Sequence, residues 1–204
     1  MADQNSLSLL QWGISIAVPA VSGLCGVAVG AFLTARREKT NRRHEFLVKQ
    51  LTDFYSPLIA IRKELKVMGG IKLKISRAAD SAWRKVCNGY EGNPNGLRKV
   101  TQERGDAFAK IIDYENEYLE KECIPSYHRM VALFRKNIWL AEPSTVEHFP
   151  SLLGFVNIWD RFLSGTLPGE VIQELNHSEE SLSPLYDELQ EKHDELREKL
   201  VQGK

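Results

Sequence analysis

The sequence predicts an all-α protein in which a single N-terminal transmembrane helix is followed by a cytoplasmic helical bundle. From Leu9 to Ala35 the chain carries no charged residue. About 25 helical residues at about 1.5 Å each exceed the roughly 30 Å hydrocarbon core of a bilayer. After this stretch, apolar residues recur at intervals of three and four, which is typical of helices. These observations divide the chain into a tail and membrane helix (1–35), a basic juxtamembrane segment (36–45) and a helical cytoplasmic domain (46–204).

The uncharged stretch has two other interpretations, a buried core helix and a cleaved signal peptide. Core helices are usually shorter and amphipathic, whereas this stretch is apolar all round. Signal peptides carry their positive charge before the apolar run, whereas here the basic residues follow it. The same asymmetry predicts that the N-terminus lies outside and the bulk of the chain in the cytoplasm.

Small residues form a strip within the predicted span. Ser22, Gly26 and Gly30 repeat at intervals of four, and Gly26 with Gly30 makes a GxxxG match. Such strips let two helix backbones approach closely in a membrane. We expect these three residues to mediate helix association and a possible homo-oligomer, although ordinary membrane-helix composition explains them equally well.

A basic segment follows the span directly. It contains Arg36, Arg37, Lys39, Arg42 and Arg43. Basic residues at a membrane surface attract anionic lipid headgroups, each contributing about 1 kcal/mol. We therefore predict lipid contact here. Nucleic-acid binding is less favoured, because no interleaved aromatic residues accompany the charges.

The cytoplasmic part begins with a helical stripe between residues 37 and 68. Its members are Leu47, Leu51, Phe54, Leu58, Ile61, Leu65 and Met68. The steps of four and three favour a helix packed along one side, within a bundle or in an intermolecular coiled coil. Gly69 and Gly70 are predicted to interrupt it. The next segment fits a strand or a helix, and we predict a helix that has Ile71, Ile75, Ala78, Ala82 and Val86 on one face.

Glycine and proline divide the remainder into short elements. The predicted order is a loop from Gly89 to Gly96, a helix over 97–122, a helix from Pro125 to Pro143, a capping box at Ser144–Glu147, a helix to Leu163, a short helix to Leu175, and a last helix capped by Ser178. The three cysteines are dispersed and form no disulfide framework, as expected in a reducing cytoplasm.

Several short pieces of the chain carry a family resemblance. They are Leu51–Leu58 (LTDFYSPL), Trp139–Pro143 (WLAEP), Ile158–Arg161 (IWDR), Thr166–Pro168 (TLP) and His177–Glu180 (HSEE). These pieces resemble a largely uncharacterised family of bacterial proteins that have an N-terminal membrane helix and a helical cytoplasmic domain. The resemblance covers most of the chain and implies the bacterial inner membrane as its location. It implies no activity.

The search for catalytic and metal-binding motifs is mostly negative. The sequence has no phosphate-binding GxxxxGK[ST] loop, no GxSxG elbow and no HExxH pair, and it indicates no cofactor. Glu174 and His177 have the Glu-x-x-His spacing of di-iron bundles, but only one copy exists and such sites need two. Cys123 and His128 are a second, thin metal candidate. Arg37 and His44 loosely match the Arg-x4–6-His motif of HEPN ribonucleases.

Two classes of function remain open. The first is a membrane-anchored, non-enzymatic scaffold that recruits an unidentified protein partner through its helix faces. The second is an oligomeric effector that perturbs the membrane, by architectural analogy with small phage-defence proteins. Enzymatic activity is uncertain, and an enzyme at the membrane face is the third possibility. The absence of charged residues that could line an ion pathway within the span favours the scaffold.

Overall fold

The computed structural model describes residues 30–175 and 177–202. All regular secondary structure in these ranges is helical, which confirms the predicted all-α class. The chain divides between Val48 and Lys49 into two compact units.

The described part of the first unit is a single helical stretch. The helix α1 comprises residues 30–49, and its side chains are exposed up to residue 46. Residues 9–29, which make up most of the predicted span, lie outside the described residues. Among the described residues, no helix combines the length and the apolar character needed to cross a bilayer.

The second unit contains seven further α-helices within the described ranges. They are α2 (Ser56–Asn88), α3 (Pro94–Tyr118), α4 (Ile124–Asn137), α5 (Pro143–Val146), α6 (Phe149–Leu163), α7 (Gly169–Glu174) and α8 (Ser183–Val201). Two π-helical segments, Gln50–Tyr55 and Leu119–Cys123, precede α2 and α4 without a break, and two 3-10 turns, Ile138–Leu140 and Glu179–Leu182, precede α5 and α8.

Both π-helical segments directly precede a helical proline. Ser56 and Ile124, each one residue before a proline, donate their N–H to the carbonyl five residues earlier. Proline in a helix interior lacks an N–H and collides with the carbonyl four residues before it, and the wider π turn relieves this collision. Pro57 and Pro125 therefore shift the register of the helix without ending it.

The first π segment leaves a carbonyl that a distant side chain satisfies. Pro57 has no N–H for the Asp53 carbonyl four residues earlier. Asn137 Nδ2 donates to that oxygen at 2.8 Å. The end of α4 is thereby tied to the start of α2.

The hydrophobic core lies among the first π segment, the first turns of α2, and α4, α6 and α8. Phe54 and Phe134 are fully buried, with ring centroids 4.9 Å apart, and Phe149 stacks on Phe134 at 4.7 Å. The predicted stripe is buried at Leu47, Leu51, Phe54, Leu58 and Leu65. Its period of 3.5 therefore marks the buried side correctly.

The C-terminal part of α2 and the helix α3 form an antiparallel hairpin outside this core. Trp83 packs on Phe108, and further along the pair Lys72 lies 3.9 Å from Glu115. In residues 66–123, all of which are described, only Val100 is buried. The hairpin therefore has little core of its own.

Several predictions about individual elements are wrong. Gly69 and Gly70 do not interrupt the helix, since α2 runs through both. The segment after these glycines is helical, as predicted, and its face with Ile71, Ile75, Ala78, Ala82 and Val86 is mostly exposed, because another side of α2 meets α3. The capping box at Ser144 does not form, because Glu142 is the N-cap residue and the Ser144 hydroxyl donates to Glu188.

Candidate functional site

A buried polar network joins the first π segment to α5 and α8. Glu142 donates its backbone N–H to Tyr55 Oη at 3.0 Å, and Tyr55 Oη lies 3.1 Å from Thr145 Oγ1. Thr145 donates to Glu188 Oε1 at 3.0 Å. Because a threonine hydroxyl has one hydrogen, Tyr55 must donate to Thr145. Burial raises the pKa of Tyr55, which keeps its hydroxyl protonated.

The same network connects two of the pieces that carry the family resemblance. Gln50 Nε2 donates to the Leu140 carbonyl at 2.8 Å and to Glu142 Oε1 at 3.2 Å. Tyr55 belongs to the LTDFYSPL piece, and Leu140 and Glu142 belong to WLAEP. Within the described part of the chain, no buried side-chain nitrogen or oxygen lacks a hydrogen-bond partner, and the role of this network is to hold three elements in register.

A cavity of about 180 Å³ is lined by residues of α2, the end of α3, the second π segment, the start of α4, α6 and residues 177–179. We call it the Gly69 cavity. Its apolar wall consists of Leu65, Met68, Leu119, Ile124, Phe155 and Trp159. The rest of the lining is polar or charged and comes from Lys72, Glu115, Tyr118, Cys123, Tyr127, His177, Ser178 and Glu179. Apolar cavities with a few converging polar groups are the usual form of small-molecule sites.

The charged groups around the Gly69 cavity are already paired. Lys72 lies 3.9 Å from Glu115. Glu179 accepts a hydrogen bond from Arg62 Nη1 at 2.8 Å and one from Tyr186 Oη at 3.3 Å. The Arg62 guanidinium also lies 4.0 Å from the centre of the Tyr186 ring. The charged side chains at the edge of the Gly69 cavity are therefore paired with opposite charges, so the cavity presents a neutral surface to a ligand.

His177 and Cys123 are held in their uncharged forms. His177 Nε2 lies 3.1 Å from the Phe155 carbonyl, which can only accept, so Nε2 carries the hydrogen and Nδ1 is an acceptor. Burial lowers the pKa of His177, and burial also raises the pKa of Cys123. A nucleophilic cysteine needs the opposite shift, toward thiolate. The arrangement favours ligand binding over nucleophilic catalysis.

An exposed apolar stripe runs along α2 in the hairpin. It consists of Val67, Ile71, Ile75, Ala78 and Ala82, and we call it the outer stripe. Val67 is 59% exposed and Ile71 is 44% exposed. Lys63, Lys74 and Lys85 recur every eleven residues, about three helical turns, so they form a row beside the outer stripe. A side of this kind normally faces another apolar surface.

The predicted membrane-association residues are only partly within the described residues. Ser22 and Gly26 lie outside them. Gly30 is helical and exposed, and a Cβ built on it would meet nothing within 4 Å. The predicted lipid-contact residues Arg36, Arg37, Lys39, Arg42 and Arg43 are all exposed on α1. Arg42 also forms a hydrogen bond and ion pair with Glu38 one turn earlier.

The other candidate chemical sites remain separate in the structure. Arg37 and His44 are both exposed on α1, seven residues apart. His128 pairs with Asp160 at 2.9 Å. Among the described residues, no group of three His, Cys, Asp or Glu side chains could hold a metal ion.

The sequence does not indicate the Gly69 cavity, because its lining comes from four stretches that are distant along the chain: residues 65–72, 115–127, 155–159 and 177–179. Two signals point toward it in retrospect, the consecutive glycines within α2 and the proline that creates the π turn at Leu119–Cys123. No family model, curated protein or solved structure matches this chain. A function for this chain therefore rests on the chemistry of the residues that form the fold and the cavity.

Proposed function

We propose that this chain is a single-pass, membrane-anchored helical interaction protein without enzymatic activity. Its proposed location is the bacterial inner membrane, with the N-terminus outside and the helical unit in the cytoplasm. The uncharged stretch from Leu9 to Ala35 and the exposed basic residues that follow it support the anchor. The family resemblance supports the same architecture.

The outer stripe of α2 is the observation that carries the interaction role. Its apolar residues are exposed, whereas α3 packs against a different side of α2. The neighbouring row of Lys63, Lys74 and Lys85 is exposed and bears positive charge. An amphipathic partner helix with an apolar side and a row of Asp or Glu would match both features. We propose such an acidic helix, from a second protein, as the partner.

Site-specific photo-crosslinking in cells tests this proposal. A photoreactive phenylalanine analogue at Ile71 or Ile75 should form a discrete protein adduct, and the same analogue at exposed Gln190 on α8 should not. Reversing Lys74 and Lys85 to glutamate should reduce the adduct at least about fivefold. Reversing Lys110 and Lys136, which are exposed elsewhere, should leave it unchanged.

Other crosslinking outcomes contradict the proposed partner. Adducts that contain only lipid would show that the outer stripe lies on the bilayer. Adducts that contain only a second copy of this chain would show self-association. Equal adducts at Ile71 and Gln190 would show that the stripe is not a specific surface.

A membrane-perturbing oligomer is the second candidate function. The open space beside Gly30 supports it, because a second helix could approach the backbone there. This candidate predicts that expression depolarises the membrane and that Gly26→Ile with Gly30→Ile abolishes the effect. Light scattering on the purified protein should then show a large assembly that the double substitution dissociates.

A further inference from the structure

Two consecutive glycines occupy the middle of α2, where glycine is unfavourable. Gly69 and Gly70 are both helical, and neither has a positive φ. Glycine in a helix interior is about 0.5 to 1 kcal/mol less stable than alanine. A Cβ built on either residue would meet nothing within 4 Å, so close packing does not require them.

Gly69 differs from Gly70 in one respect, since Gly69 lines the cavity and Gly70 does not. A side chain at Gly69 would occupy part of the space between Met68 and Lys72. Glycine at position 69 therefore keeps the cavity open, although helix propensity alone favours another residue there.

The size and chemistry of the cavity define a class of ligand. A cavity of about 150 Å³ with an apolar lining stays dry and binds benzene, so about 180 Å³ accommodates one aromatic ring with a small substituent. Phe155 and Trp159 provide aromatic surface, with the His177 ring 4.7 Å from Phe155 and 5.9 Å from Trp159. The charges at the edge are paired, which disfavours an ionic ligand.

The hydrogen bonding of His177 indicates which polar group a ligand of the cavity should carry. Nε2 donates to the Phe155 carbonyl, which leaves Nδ1 as the acceptor of a ring that lines the cavity. An O–H or N–H group on a ligand would complement this acceptor. We propose that the Gly69 cavity binds a neutral, single-ring aromatic molecule that carries one hydrogen-bond donor.

Cysteine labelling on the full-length chain in lipid nanodiscs tests the proposal. Cys123 lines the cavity, whereas Cys87 lies near the C-terminal end of α2, and both cysteines are half-buried. Phenol should slow N-ethylmaleimide labelling of Cys123 at least threefold and saturably, as measured by peptide mass spectrometry. Labelling of Cys87 should not change. Benzoate, which is charged, should protect neither cysteine.

Matched glycine variants connect the protection to the cavity. Gly69→Leu should fill the cavity, so that phenol no longer changes Cys123 labelling. Gly70→Leu adds the same side chain one residue away and should behave as the wild type. Both substitutions replace glycine with leucine inside α2 and change the helix propensity equally. A difference in Cys123 labelling between the two variants therefore does not reflect the stability of α2.

A second pair of probes tests the role of His177. Toluene has the ring of phenol without the donor. In His177→Phe, protection by phenol should require at least about fivefold more ligand, while protection by toluene should stay the same. Unchanged phenol protection in this variant would refute the hydrogen bond. The cavity proposal itself is overturned if neither phenol nor toluene protects Cys123, if Gly69→Leu leaves the protection intact, or if benzoate protects best.

Discussion

Tyr55 and Thr145, ninety residues apart in the chain, share a hydrogen bond of 3.1 Å between fully buried hydroxyls. The direction of this bond is set by Glu188, which accepts the only hydroxyl hydrogen of Thr145. Tyr55 therefore donates to Thr145 and accepts from the backbone of Glu142. This order of donors and acceptors links three elements, namely the first π segment, α5 and α8.

Replacing Thr145 with valine should destabilise the protein. The change keeps the shape but leaves the buried Tyr55 hydroxyl without its acceptor, a loss of about 1 to 3 kcal/mol. The free energy of unfolding, measured by urea titration with circular dichroism, checks this. Thr145→Ser keeps the hydroxyl and should cost clearly less than Thr145→Val. Equal losses in the two variants would show that methyl packing, rather than the hydrogen bond, matters here.

Asn137 and Pro57 should be energetically coupled through the Asp53 carbonyl. Asn137→Ala removes the side-chain donor and should cost about 0.5 to 1.5 kcal/mol. Pro57→Ala supplies a backbone N–H that can take over that carbonyl. Asn137→Ala should therefore cost less in the Pro57→Ala background, and a double-mutant cycle measures the difference. Strictly additive effects would contradict the coupling.

Gly70 and Gly165 should respond to alanine in opposite directions. Gly70 is helical with open space around it, so Gly70→Ala should stabilise the protein by about 0.5 to 1 kcal/mol. Gly165 has a φ of +71°, a conformation that L side chains rarely adopt. Gly165→Ala should therefore destabilise by about 1 to 2 kcal/mol. Thermal unfolding midpoints of the two variants give the signs directly.

His177 should make stability depend on pH in the mildly acidic range. Burial lowers its pKa in the folded state below the ordinary value of 6.5. The stability that the neutral ring contributes is thus present above pH 6.5 and is lost as the pH falls toward the folded pKa. Comparing the wild type with His177→Phe between pH 7.5 and 5 isolates this contribution, because the other histidines are common to both. The advantage of the wild type should shrink on acidification, and an advantage that grows would show the opposite pKa shift.

The sequence by itself determines which segments are helical and which side of the helical stretch over residues 47–65 is buried. Both depend on local geometry, because a period of about 3.6 residues places Leu51, Phe54, Leu58 and Leu65 on one side of a helix wherever that helix packs. The loop that begins at Gly89 and the turn at Gly165 follow from local backbone preferences in the same way.

Only the tertiary structure decides the features that depend on distant partners. Ser144 fits a capping box locally, but its hydroxyl finds Glu188 instead. Gly69 and Gly70 disfavour a helix locally, yet α2 continues through both within a helix of 33 residues. The side of α2 with Ile71 and Ile75 has the pattern of a core face and is exposed, because α3 packs against the other side. Periodicity shows that a helix has an apolar face, whereas the partner that covers it, and the cavity left between partners, depend on residues far away in the chain.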